Sequence, residues 1–330
     1  VNLLVIGGTA FVGRAFTESA LAAGWTVTHF NRGKTNTNDF KHVETIQGDR
    51  KLGFDPLSDR TFDAVVDTCG YLPGDVRLSA EFFRERCNRY LFVSTISVYD
   101  TIEGVTEFKE DHPLLPPPAD PDTQEVNGET YGPLKVLCEK AVETVYGDQG
   151  TIVRPGLIIG PWDPTDRFSY WPLRFARGGQ VLSPDPTLRV AWFIDVRDLA
   201  DFMVHLLQNG QSGIYNVNVG HDWGYMLEQC QTAAGVPSEI FTASEDELAK
   251  AEVSYWNDLP LWLPLTHGHA LSRLALRNGL SLRPLDQTIH DTMRWLREHR
   301  PDLIGKAGLT PERESDAIAK ILSERESTEG

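Results

Sequence analysis

The chain has 330 residues, 41% hydrophobic and 24% charged, proportions that allow a large core and exclude a disordered or fibrous polypeptide. Its 31 basic against 47 acidic residues give a net charge of −16, which argues against a nucleic acid or an anionic membrane surface as partner. Cys69, Cys87, Cys138 and Cys230 are scattered without a C-x-x-C spacing and read as reduced thiols; with no leader-like segment and no apolar run near the roughly 18 residues of a membrane span, a soluble, cytoplasmic protein is expected.

In chain order, Val1 to Ile6 is predicted as a buried strand, and Gly7-Gly8-Thr9-Ala10-Phe11-Val12-Gly13 as a glycine-rich turn. The chain opens on Val1, already inside that strand, which reads as the loss of a native methionine or of a residue or two. A helix from Phe11 to Ala23 follows, closed by Gly24, and a second strand from Trp25 to Phe30 delivers Asn31-Arg32-Gly33. Further strands are expected at Glu44–Asp49, Phe62–Thr68, Tyr90–Thr95 and Gly150–Pro155, with helices at Pro73–Arg86 and Thr130–Tyr146 and a proline-rich loop at Leu114–Pro121. Short apolar runs alternating with helical segments predict a doubly wound parallel α/β sheet covered on both faces.

From Gly156 the pattern changes. Residues 160–186, rich in Trp and Pro, read as loops. A strand at Val190–Ile194, a helix from Asp195, a strand at Tyr215–Val219 and a further helix come next. The expected organisation is a dinucleotide-binding part over residues 1–155, a smaller substrate lobe over 156–300 interleaved with the last strands, and a charged tail or helix over 301–330.

Two constellations carry chemistry. The first strand, turn, helix and second strand form the half-module that holds a dinucleotide: glycines let the backbone approach a pyrophosphate, and the helix start offers unpaired N–H groups and a partial positive charge. The second is Tyr131-Gly132-Pro133-Leu134-Lys135. Residues four apart share a helix face, so phenol and ammonium can point into one cleft, where the charge would lower the phenol's pKa and make it a usable acid/base.

Together with Gly48-Asp49, the run Phe92-Val93-Ser94-Thr95-Ile96-Ser97-Val98-Tyr99, Arg154-Pro155-Gly156, and Phe193-Ile194-Asp195-Val196-Arg197-Asp198-Leu199-Ala200, these motifs occur in an order that resembles the short-chain dehydrogenase/reductase superfamily in its extended form (nucleotide-sugar epimerases and dehydratases). The Gly-Gly-Thr-x-Phe-Val-Gly start is similar to the atypical branch. The resemblance spans roughly residues 1–300 and implies a Rossmann-type fold.

It also implies roles. Tyr131 is the proton donor or acceptor, Lys135 holds the nicotinamide ribose and lowers the Tyr131 pKa, and Thr95 supplies a third catalytic hydroxyl, with Ser94 its rival. Gly7, Gly8 and Gly13, with Thr9 and Ala10 between them, line the pyrophosphate, and Phe11-Val12 enter the first helical turn. Asp49 reaches the adenine, Cys69-Gly70 runs beneath the adenosine half, and Pro155-Gly156 passes the nicotinamide carboxamide. A homodimer through the helices near 80 and 140 is implied as well.

Three departures qualify the likeness. Ala10 stands in place of a middle glycine. Asn31-Arg32 replaces the acidic residue of NAD-preferring members, which favours NADP(H) over NAD(H) because a cation accepts a 2′-phosphate that an acid would repel. Ala191-Trp192 occupy the place of the arginine that grips a substrate diphosphate, with Arg189 two residues earlier.

His267-Gly268-His269 has metal-like spacing but no third ligand nearby, so no metal is expected and a polar loop is the better reading. The tryptophans at 162, 171, 192, 256 and 262 could wall a pocket or pack the core. The leading expectation is an NADP(H)-dependent oxidoreductase acting on a small carbonyl or alcohol. One alternative is an NAD-retaining epimerase or dehydratase of a nucleotide sugar; another is a non-catalytic nucleotide- or RNA-binding member.

Overall fold

The computed structural model describes residues 1–36, 39–101, 105–300, 302 and 305–329. Its elements in chain order are β1 (Asn2–Ile6), α1 (Phe11–Ala22), β2 (Thr26–Asn31), β3 (Glu44–Gln47), β4 (Phe62–Asp67), α2 (Pro73–Phe83), β5 (Cys87–Val93), β6 (Glu107–Phe108), α3 (Tyr131–Tyr146), β7 (Gly150–Pro155), β8 (Ile158–Ile159), α4 (Tyr170–Ala176) and β9 (Gly179–Pro184). There follow β10 (Val190–Asp195), α5 (Val196–Asn209), β11 (Gly213–Val217), β12 (Val219–Asp222), α6 (Trp223–Ala234), β13 (Ser238–Ala243), α7 (Glu245–Lys250), β14 (His269–Ala270), α8 (Arg273–Arg277), α9 (Leu285–His299) and α10 (Pro311–Glu329).

The chain forms two compact units. The first comprises Val1–Leu157, Val196–Val219 and Gly268–Leu282. It is built on a parallel sheet of seven strands in the order β11-β7-β5-β4-β1-β2-β3. β1 pairs with β2 on one side (Leu3 with Val27) and with β4 on the other (Leu3 with Ala64), so the chain changes direction across the sheet at β1. Central strands of a parallel sheet have no wet face, which is why Leu3–Ile6, Ala64–Val66 and Tyr90–Phe92 read as unbroken apolar runs and are almost wholly buried. One core cluster joins Leu4, Ile6, Phe30, Phe54, Val65, Phe83, Phe92 and Val142, drawn from strands and helices of this unit. The C-terminal ends of β1, β4, β5 and β7 lie side by side, and each leads into a stretch singled out from the sequence. In an open sheet of this kind, ligands bind at those ends and at the switch point.

The second unit comprises Ile158–Asp195, Gly220–His267 and Arg283–Gly330. It holds the small sheet β12-β10-β8 and the parallel pair β13-β9. Residues 160–186, expected as loops, contain α4 and β9. Tyr170 to Phe175 are all buried in α4, so the helix shows no polar face and no 3.6-residue alternation to betray it. β10, expected as another strand of the run, pairs with β8 instead of joining the seven-stranded sheet. Two buried polar pairings tie this unit together: Arg174 with Glu314, which also accepts from the Leu182 N–H at 3.0 Å, and Asp195 with the Thr288 hydroxyl at 2.7 Å. α10 is therefore anchored through Glu314, where composition alone showed only charge. No helix among the described residues is long and apolar enough to cross a membrane.

Candidate active site

The turn between β1 and α1 is shaped by missing side chains. Gly7 and Gly8 take φ of +108° and +87°, conformations a Cβ disfavours. A Cβ on Gly13 would stand 2.6 Å from the Gly8 nitrogen, so only glycine lets the first turn of α1 close onto the strand end. Ala10 is the extended N-cap of α1 and provides no side-chain cap, while Phe11 opens the helix at φ +30°. The first turn of α1 carries no acid. This exposed-amide, acid-free helix start beside a side-chain-free turn fits a pyrophosphate. Beneath it, buried His29 meets the Thr17 hydroxyl at 2.9 Å and lies where a Gly8 Cβ would fall, at 2.5 Å. Burial lowers the His29 pKa to about 4, so it is a neutral prop under the turn.

The Asn31 amide spans the same turn. Its Nδ2 donates to the Gly7 carbonyl at 3.3 Å, and its Oδ1 accepts from the Gly33 N–H at 2.8 Å. The Thr9 carbonyl accepts from Asn36 at 2.9 Å. Arg32 is exposed and, among the described residues, has no ion-pair partner. Asp49 accepts from the Lys51 N–H at 3.0 Å and so caps the short 3-10 turn at 50–52.

At the head of α3 the side chains converge. Tyr131 stands beside Thr95, whose Oγ1 accepts from the Ser97 N–H at 3.1 Å and donates to the Ser97 hydroxyl at 3.2 Å. Lys135, one turn on, is buried; its Nζ donates to the carbonyls of Gly70 at 2.7 Å and Val93 at 2.8 Å and lies 4.0 Å from the Phe92 ring centroid. Burial pulls the Lys135 pKa down to about 8. Burial also raises the Tyr131 phenol, only partly offset by the neighbouring Thr95 side chain. The expected lowering by Lys135 is not what this arrangement produces, because the ammonium is turned toward two carbonyls and burial acts in the opposite sense. Ser94 is buried too, its Oγ without a hydrogen-bond partner among the described residues, and its N–H donates to the Val153 carbonyl at 2.7 Å.

Cys69 and Gly70 leave the end of β4, and the Cys69 thiol reaches the Ile6 carbonyl at 3.5 Å, next to the glycine turn. Pro155 ends β7; Gly156 follows with its N–H on the Val217 carbonyl at 2.9 Å, and a Cβ there would collide with Asn218 at 2.0 Å. Thr95, Ser94, Tyr131, Lys135 and Gly70 are thus brought together, as are Gly7, Asn31 and Gly33.

Sequence reasoning missed Arg50. It forms a two-pronged pair with buried Asp67, at 2.8 and 2.6 Å, and donates to the Asp75 carbonyl and the Ser79 hydroxyl, each at 3.1 Å. Burial would push the Asp67 carboxyl upward, but the guanidinium outweighs it and holds it below its ordinary range. The pair braces the end of β4, from which Cys69 N–H reaches Asp67 at 3.1 Å. The signal was an Asp directly after the apolar run Ala64-Val65-Val66: a carboxylate so placed needs a cation. A second buried pair, Arg154 with Glu139 at 2.7 Å, holds β7 to α3, with Arg154 also donating to the Tyr99 hydroxyl at 2.8 Å.

Other candidates have local partners of their own. Arg189, the stand-in for a diphosphate grip, is buried and bonds the carbonyls of Asp185 and Leu263 and the Glu245 carboxylate. Trp171 donates to the Pro260 carbonyl at 2.8 Å, Trp262 is buried against Tyr255, and Trp162 packs on Trp295. His269 lies in β14, paired with β6, and no group of three metal-binding side chains occurs among the described residues.

A family model described as the NAD dependent epimerase/dehydratase family matches residues 3–220. The chain belongs to the NAD-dependent epimerase/dehydratase family. Structures of similar fold are the Bordetella bronchiseptica enzyme WbmH in complex with NAD+ (16% identity, 90% of this chain and 98% of that one, TM-score 0.67) and UDP-glucuronic acid 4-epimerase from Bacillus cereus in complex with NAD (14%, 91% and 98%, 0.65). A third is UDP-glucose 4-epimerase from Thermotoga maritima with UDP-glucose (16%, 90% and 99%, 0.65). Among curated proteins, the chain is 24% identical over 259 residues to the chloroplast stem-loop binding protein of 41 kDa b of Arabidopsis thaliana, a match covering 72% of this chain and 64% of that relative's length. Family membership accords with the seven-stranded parallel sheet and its flanking helices.

Proposed function

We propose that this chain is a nicotinamide-dinucleotide-dependent enzyme of the epimerase/dehydratase type, acting on a carbinol carbon of a small sugar-like substrate and retaining its dinucleotide between turnovers. The observation that carries the reading is Tyr131 beside Thr95 at the head of α3, one turn from buried Lys135, whose Nζ is held by the Gly70 and Val93 carbonyls. When bound, the dinucleotide supplies the hydride acceptor and donor. Tyr131 moves the proton of the substrate oxygen, Thr95 holds that oxygen by a hydrogen bond, and Ser94 offers a second hydroxyl beside it. A phenol raised by burial stays protonated at neutral pH and acts first as hydrogen-bond donor to a substrate carbonyl. Lys135 has two of its three N–H donors on Gly70 and Val93, leaving one for a ribose hydroxyl.

The remaining contacts follow from the same reading. Gly7, Gly8 and Gly13, with Thr9 and Ala10, cradle the pyrophosphate, Phe11 and Val12 present the helix start, and Asp49, Cys69 and Gly70 flank the adenosine. Pro155 and Gly156 pass the carboxamide. We assign residues 1–155 mainly to the dinucleotide, 156–300 mainly to the substrate, and 301–330 to the charged terminal helix. The solved neighbours named above carry NAD or a UDP-sugar, which supports this class over reduction of a simple carbonyl.

A second reading, an NADP(H)-dependent reductase or dehydrogenase, draws on one observation: Arg32 stands exposed after β2 without an ion-pair partner among the described residues, with Asn31 in place of a carboxylate. Release of nucleotide from the purified protein by denaturation, followed by chromatography and incubation of the protein with UDP-hexoses, tests the two. Near-stoichiometric NAD(H) and interconversion without net oxidation is the expected result; an empty site and NADPH consumed in proportion to product would overturn it. RNA binding, prompted by the name of the Arabidopsis relative, meets a charge of −16.

A further inference from the structure

We propose that Tyr71 is a specificity-determining, substrate-facing residue: an aromatic wall beside Tyr131 on which the reacting substrate packs the C–H face of a saturated ring. The inference rests on the assignment of Tyr131 to the substrate oxygen. The Tyr71 ring lies 6.4 Å from the Tyr131 ring, tilted by 40°, and its centroid is 5.7 Å from the Lys135 Nζ. The aromatic side chains packed deeper around the same strand ends, Tyr90, Phe92 and Tyr99, are at most 4% exposed, whereas Tyr71 is 50% exposed. Its hydroxyl has no hydrogen-bond partner among the described residues.

Tyr71 is not a stray surface side chain on a loose loop. It follows Gly70, whose carbonyl is held by Lys135 and where a Cβ would stand 2.5 Å from Val76 and 2.7 Å from Phe92. Two residues before it, the Cys69 N–H is fixed on Asp67, and two residues after it α2 begins at Pro73. The backbone on both sides is therefore pinned, and the ring stands half exposed beside Tyr131 and Lys135. Binding sites combine such apolar faces with a few convergent polar groups, and here the polar groups are the hydroxyls of Tyr131 and Thr95. An open, flat aromatic face is matched by the C–H face of a pyranose or cyclohexane ring. An open-chain alcohol offers no such face. The phenol oxygen adds a donor at the ring's edge, but the apolar face carries the selectivity.

The test uses the full chain with two probes, methyl α-D-glucopyranoside as the cyclic ligand and sorbitol as the open-chain one. Binding is read by saturation transfer to ligand protons, with and without saturating NAD+, in wild type, Tyr71→Phe and Tyr71→Leu, and NAD+ affinity is titrated separately for each protein. The expected result is that the cyclic probe binds wild type and Tyr71→Phe within about two-fold, binds Tyr71→Leu at least about ten-fold more weakly, and outcompetes sorbitol, while NAD+ affinity stays within about two-fold throughout. The proposal is overturned if Tyr71→Leu binds the cyclic probe as wild type does, if wild type does not bind it, or if sorbitol binds equally well. A loss confined to NAD+ also overturns it and gives the ring to the dinucleotide. If wild type fails to bind NAD+ yet holds the cyclic probe through Tyr71, the dinucleotide reading falls and the aromatic wall stands.

Discussion

The β1–α1 turn and the head of α3 are two halves of one candidate site built by opposite means. At the turn, function comes from what is missing: Gly7, Gly8 and Gly13 leave backbone exposed, and any Cβ there meets Thr68, His29 or Gly8 within 2.6 Å. At α3, function comes from what is present, three side chains whose value depends on burial and on partners from β4 and β5. A backbone site tolerates few substitutions and says little about the reaction. A side-chain site can be dismantled one group at a time, and its parts separate chemistry from binding.

The sharpest way to break the comparison is Tyr131→Phe. If chemistry resides at α3 and binding at the turn, this variant loses about 10³-fold or more in kcat while dinucleotide affinity stays within about two-fold. Single-turnover hydride transfer and a dinucleotide titration on the same sample check it. Equal losses in both would merge the two halves.

Arg50 is the strut common to both halves, since Asp67 leads into the Cys69 and Gly70 that touch Ile6 and Lys135. Arg50→Met leaves a wholly buried carboxylate without its cation and is expected to cost about 3–5 kcal/mol in denaturant unfolding. Adding Asp67→Leu should recover most of that loss. If the double variant is as unstable as the single one, the pair is not the source of the cost.

The two halves also differ in how far the sequence disclosed them. The glycine turn was legible because steric exclusion leaves a permanent trace: Gly7, Gly8 and Gly13 can hardly be anything else. Tyr131 and Lys135 were legible through their four-residue spacing, which fixes a shared helix face. The sign of the Tyr131 shift was not, because it depends on burial and on the carbonyls of Gly70 and Val93, both far away along the chain. Arg50 and Tyr71 escaped for the same reason: each matters through partners at sequence separations that periodicity does not see. In the second unit, α4 was hidden because burial on all sides erases the alternation on which helix prediction rests. β9 and β13 pair across more than fifty residues, again beyond any local pattern.

Lys135 sharpens the comparison through pH. Its pKa is about 8 in the folded chain against about 10.4 in an unfolded one, so between those values the unfolded state binds more protons and stability rises with pH. Relative to Lys135→Met, wild type should gain about 1–3 kcal/mol between pH 8 and 10.5, seen in urea titrations across that range. Dinucleotide affinity should move the other way, falling above pH about 8 as the ammonium loses its charge, whereas the turn contributes no titrating group. A wild-type stability curve parallel to that of Lys135→Met would remove Lys135 from this role.

The smallest effect belongs to the turn's outer edge, where Asn31 and Arg32 divide two tasks. The Asn31 amide is committed to the Gly7 carbonyl and the Gly33 N–H, so it shapes the turn, while Arg32 is exposed, has no ion-pair partner among the described residues, and adds charge. Arg32→Ala is therefore expected to leave NAD+ affinity unchanged and to weaken NADP+ by about ten-fold, the scale of one exposed charge-assisted contact to a phosphate. Asn31→Asp should weaken both, because a carboxylate cannot donate to the Gly7 carbonyl and would repel it. Titrating both dinucleotides against both variants separates shape from charge. If Arg32→Ala leaves the NADP+ to NAD+ ratio where it was, Arg32 is a solvated residue and the preference follows the turn alone.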